Sequence, residues 1–152
     1  PIHRRSFLAT VELSGAEKGS GTVFAYGGEH GGMSLFVDQG VPGFVFRNHD
    51  GRVTCLRGNR ALSTEGALDL QFVRNDDASQ GAQARLLQGG HELASGTIPG
   101  PLPVFTWSLN ETFDIGADAG SQVLEGVTCA GKAVLAADPN SMVAKVRFQV
   151  SD

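Results

Sequence analysis

The chain has 152 residues, 41% apolar and 18% charged, a balance that separates it from disordered sequences and allows one domain with a sizeable core. A net charge of −4 and a pI near 5.5 leave no broad positive field, which argues against nucleic acid as a partner. No run approaches the roughly 18 apolar residues of a membrane-spanning helix, and no basic-then-apolar leader opens the chain, so no membrane partner is expected.

The predicted elements follow in chain order. Phe7, Ala9, Val11 and Leu13 alternate within residues 4–13, the period of two that marks a strand. Val23, Phe24 and Tyr26 form a second strand before the glycine-rich turn 27–32, whose glycines flank Glu29 and His30 and let a hairpin turn tightly or another backbone come close, and Met33 to Val37 resumes the pattern until Asp38-Gln39-Gly40. Val41 to Arg47 continues with Phe44 and Phe46 on one face. Asn48-His49-Asp50-Gly51 supplies turn chemistry, and Arg52 to Arg57 carries Val53 and Cys55. Leu68, Leu70 and Phe72 alternate next, before a polar loop from Arg74 to Gly81. Ala82 to Leu87 and His91 to Thr97 flank Gly89-Gly90 as a hairpin closed by Pro99-Gly100-Pro101.

Phe105, Trp107 and Leu109 predict a further strand, Thr112 to Gly116 a short one, and Met142 to Val150 the last, with Val146, Phe148 and Val150 in step. About ten to twelve strands with no long amphipathic helix read as all-β, and their spacing as a sandwich or jelly roll. A strong closing strand is expected to pair beside the first. No break in composition divides the chain, so residues 1–152 are read as a single domain. The glycine content, 21 residues, is about twice the usual share and fits many tight turns.

The residues that carry chemistry are sparse. There is no GxSxG elbow, HExxH, phosphate loop or EF-hand loop. The four histidines, His3, His30, His49 and His91, fall in or beside turns or at the amino end, and Glu12 and Asp69 stand isolated on their strands, with no repeat that would crowd acids on one surface. Asp114 and Asp118, in the acid- and glycine-rich stretch 110–120, are hard-oxygen candidates for a structural calcium ion, set against the ordinary role of such acids as turn formers. Cys55 and Cys129 match neither a zinc pattern nor CxxC; a single bridge and two buried free thiols both remain open.

Taken in order, Arg5-Ser6-Phe7, the segment Gly21 to Gly28, the segment Gly31 to Val37 and above all Glu111 to Val123 resemble the carboxyl-terminal β-sandwich domain of bacterial arylsulfatases. The resemblance implies an antiparallel jelly-roll sandwich, concanavalin A-like or laminin-G-like, at the carboxyl end of a larger sulfuric ester hydrolase. Its partner would be the sulfatase catalytic domain of the same polypeptide. The family's nucleophile signature, a cysteine or serine two residues before proline and four before arginine, is not met: Cys55 precedes Leu56-Arg57 and Cys129 precedes Ala130-Gly131. This chain is therefore expected to be a non-catalytic accessory domain with no catalytic or cofactor-binding residue of its own. The rival expectations are a lectin-like module that binds carbohydrate or sulfated polymers, and a glycosidase.

Overall fold

A computed structural model describes residues 6–14, 19–28, 31–48, 50–64, 66–102, 113–115, 128–129, 132–133 and 143–151. Among them are twelve strands: β1 (Ser6–Leu13), β2 (Gly21–Gly28), β3 (Gly31–Asp38), β4 (Val41–Arg47), β5 (Val53–Arg57), β6 (Leu68–Arg74), β7 (Ala82–Gln88), β8 (His91–Ile98), β9 (Phe113–Ile115), β10 (Thr128–Cys129), β11 (Lys132–Ala133) and β12 (Val143–Ser151). The only helical piece among the described residues is one 3-10 turn at Ala78–Gln80. The expected strand at 105–109 lies outside the described residues.

Two antiparallel five-stranded sheets carry the fold. The first has the order β12-β1-β6-β7-β8 and the second β5-β4-β3-β2-β9; β10 and β11 form a separate pair. The closing strand does lie beside the opening one, paired from Ser6↔Ser151 to Leu13↔Val143. The chain therefore lays down β1 in the first sheet, crosses for β2 to β5, returns for β6 to β8, and crosses again for β9.

Alternation decides which side chains meet between the sheets. Phe7, Ala9 and Val11 are opposite Phe72, Leu70 and Leu68 in the β1–β6 ladder, and all six are buried. From the second sheet come Phe24, Met33, Leu35, Val37, Phe44 and Phe46, all in the same cluster. An aromatic seam joins the layers: Phe7 stacks on Phe72 at 5.0 Å, Phe72 on Phe46 at 5.9 Å, and Phe24 meets Phe148 edge-on at 5.4 Å. The consecutive apolar pair Val23-Phe24, which breaks a period of two, is explained by a register shift between Thr22 and Phe24: the extra residue lets both side chains reach the core.

The second sheet departs from simple alternation. β3 is buried at every position from Gly31 to Val37, and β4 from Pro42 to Phe46. An antiparallel strand buried on both faces needs cover on both. The outer cover is marked by a second cluster of Ala25, Phe36, Val45 and Cys129, with Cys55 packed against it. Cys55 on β5 and Cys129 on β10 are joined by a disulfide, their Cα atoms 5.6 Å apart, which resolves the alternatives left by the sequence. The glycines flanking Glu29 and His30 carry the β2–β3 hairpin as expected, continuing the ladder to Gly27 opposite Gly32 and Gly28 opposite Gly31.

Candidate functional site

Of the four histidines, His91 is the one described; it opens β8 and is exposed. His3, His30 and His49 lie outside the described residues, as does Asp118. Asp114 sits in β9, its backbone in register with Ala25 of β2. Among the described residues no three or more histidine, cysteine or acidic side chains gather as a metal site would require.

Glu12 and Asp69, isolated in sequence, are brought closer by the register. Thr10 pairs with Asp69, so Glu12 and Asp69 occupy diagonal positions on the outer face of the first sheet, while Lys145 stands opposite Glu12. Several polar side chains of that face are paired with one another. Arg85 Nε donates to Glu92 at 2.8 Å and Arg85 Nη1 to Gln71 at 3.2 Å, while Gln83 Nε2 donates to the Thr97 hydroxyl at 2.8 Å. On the second sheet Arg57 reaches Asp38 at 2.9 Å, leaving its Nη1 buried with no partner. The exposed large apolar side chains among the described residues, Val53, Val73 and Val150, belong to three different strands and make no common patch.

A concave site lies at the end of the β7–β8 hairpin. There a groove of about 630 Å3 is lined by Arg60, Ala61, Ser63, Gly66, Gln88, Gly89 and His91. One wall is the connection from β5 to β6; the other is the hairpin turn. Gln88 pairs with His91, leaving Gly89 and Gly90 as a two-residue turn with φ of 58° and 80°. Positive φ at both centres is the twist-matched hairpin geometry, and glycine supplies it without strain.

The connection is held in place by named bonds. Asn59 N donates to Leu93 O at 2.9 Å and Leu62 N to Gly40 O at 2.7 Å, tying it to both sheets. Gln88 then fixes its far end. Gln88 Oε1 accepts from Ser63 N at 2.9 Å and from Ser63 Oγ at 3.3 Å, and Gln88 Nε2 donates to Ser63 O at 3.2 Å and Gly66 O at 3.1 Å. Both acceptor sites and both N–H groups of the amide are thus engaged. Gln88 frames the groove and has no capacity left for a ligand.

The groups free to act are those on the rim. Arg60 and His91 are exposed, come from segments far apart in sequence, and have no hydrogen-bond or ion-pair partner among the described residues. The described lining holds no carboxylate. Sequence reading placed His91 beside a turn without a site role, and singled out neither Arg60 nor Gln88. The Gly89-Gly90 turn was legible, yet nothing in the unpatterned stretch 58–67 signals that it folds against that turn.

No protein-family model matches this chain, and no curated protein sequence matches it either.

Proposed function

We propose that this chain is a non-catalytic accessory β-sandwich of an arylsulfatase-type sulfuric ester hydrolase, docked on its catalytic domain or shaping access to it. The observation that supports this reading is a juxtaposition. The segments of the resemblance at 21–28 and 31–37 form the β2–β3 hairpin, and the core of the one at 111–123, far away in sequence, joins β2 as β9 in the same sheet. Three of the four segments thus meet in one sheet, while Ser6-Phe7 of the fourth opens β1 in the other. A jelly-roll, concanavalin-like topology is part of the same reading, and the repeated crossings of the chain between the sheets and the β1–β12 closure favour it. A docking domain is expected to leave one apolar face bare; among the described residues the large exposed apolar side chains are Val53, Val73 and Val150, on three separate strands.

The test is hydrolysis of p-nitrophenyl sulfate by this chain alone and by the polypeptide obtained when the reading frame is extended upstream of Pro1. The expected result is turnover only by the longer protein, with the cysteine-or-serine, proline, arginine signature in the added region. Turnover by the 152-residue chain, or an extension that lacks the signature, overturns the reading. A second reading, a module that binds glycans or sulfated polymers, is favoured by the groove with Arg60 and His91 on its rim.

A further inference from the structure

We infer that the groove between the 58–66 connection and the β7–β8 turn is a binding subsite for a sugar-sized, hydroxylated group bearing a single oxyanion, with Arg60 and His91 as the anion-recognising side chains. The inference deepens the second reading above and rests on it for the choice of a carbohydrate carrier; the preference for an anion comes from the groove itself.

Three observations carry it. The chain as a whole is acidic, at −4, and the charged or titratable side chains of the described lining are Arg60 and His91. A guanidinium offers two parallel N–H groups that match the paired oxygens of a sulfate ester or a carboxylate, and an imidazole adds a third donor from the opposite wall. Second, the groove is built in advance. Gln88, 9% exposed and bonded through all four of its positions, locks the connection to the hairpin, so binding would not have to order the backbone. Third, a volume of about 630 Å3 is far larger than a lone inorganic anion and holds a ring or two with its hydroxyls. The described lining holds no Phe, Tyr or Trp, so it gives a neutral sugar no stacking platform and the anion supplies the selectivity. Glu65, the acidic residue within the connection, lies outside the described residues.

The experiment is a titration of the full chain, followed by backbone amide NMR, with four probes: galactose 6-sulfate, glucuronate, galactose and inorganic sulfate. The expected result is saturable shifts at Ser63, Gly66, Gly89 and His91 with the two anionic sugars, weaker shifts with sulfate alone, and none with galactose. Arg60→Gln and His91→Gln, both at exposed positions that leave the fold intact, each weaken the anionic sugars about tenfold or more. The relative response to galactose 6-sulfate and glucuronate tells a sulfate ester from a carboxylate as the source of the charge. Shifts by an anionic sugar that cluster elsewhere on the surface overturn the assignment of this groove while leaving a glycan-binding module standing. No shift by any sugar up to about 10 mM overturns both. Equal binding of galactose, or full affinity in Arg60→Gln, overturns the anion-recognition role.

Discussion

Phe36 covers Gly43: the two residues face each other in the β3–β4 ladder, and the Phe36 ring occupies the space that a side chain at position 43 would fill. The contact lies on the outer face of the second sheet, where Phe36 is 2% exposed. A glycine in a strand leaves a gap, and a cross-strand aromatic ring that folds over it closes the gap and shields the backbone.

Gly43→Ala is therefore expected to destabilise the protein, although alanine is the better residue in extended backbone. A Cβ at this position meets the ring itself, and overpacking of this kind costs about 1–3 kcal/mol. At roughly 2–4 °C per kcal/mol for a chain of this length, a thermal melt should resolve the loss. With Phe36→Leu in the background the same alanine should cost much less, and additive effects in that double-mutant cycle would count against the contact.

The Cys55–Cys129 bridge closes a sequence separation of 74 residues and ties β10 to the edge strand β5. β10 and β11 pair over only two residues each, too few to hold themselves against a sheet. Replacing both cysteines by serine should lower stability by about 2–4 kcal/mol while circular dichroism continues to report both sheets. A reducing agent should lower the urea midpoint of the native protein and leave that of the serine variant unchanged. A native midpoint indifferent to reductant would contradict the bridge.

Tyr26 is the one tyrosine in the chain, packed against the core between the sheets, and burial raises its phenol above the ordinary value of 10.0. The unfolded chain releases this proton first as pH rises, so the unfolded state binds fewer protons in that range. The contribution is fully present below pH 10.0 and is lost as pH climbs through the folded value. Phenolate absorbance of the folded protein should accordingly appear above pH 10.0, and the alkaline fall in stability should be shallower in Tyr26→Phe. A phenolate midpoint at the ordinary 10.0 would show the ring to be solvated.

Gln88 bonds to Ser63 twice through its oxygen and to the carbonyls of Ser63 and Gly66 through its nitrogen. Gln88→Ala strands these backbone groups and should cost roughly 2–3 kcal/mol by chemical denaturation. Gln88→Glu is nearly the same shape but replaces the donor with an acceptor facing two carbonyls. It should be at least as damaging as alanine; a harmless Gln88→Glu would mean that the donor bonds contribute nothing.

The strands were legible because alternation is a local property. The pleat sends neighbouring side chains to opposite faces, so Phe7, Ala9 and Val11, or Leu68, Leu70 and Phe72, declare their core face without reference to the rest of the chain. Asp114 was singled out from its composition, and the structure adds the backbone register with Ala25; its partner candidate Asp118 lies outside the described residues. The groove was not legible at all, since Arg60 and His91 share no local pattern and meet only when the connection is laid against the hairpin.

The sequence by itself therefore determined the all-β class, most strand positions, the inward-facing residues and the pairing of the last strand with the first. Only the tertiary structure decided that β9 joins β2, that Cys55 meets Cys129, that β3 and β4 are covered on both faces, and that Arg60 and His91 share one rim. The physical reason is that the identity of a strand's neighbour depends on packing between segments tens of residues apart. That energy is shared among many contacts and balanced against chain entropy, and no short stretch of sequence contains it.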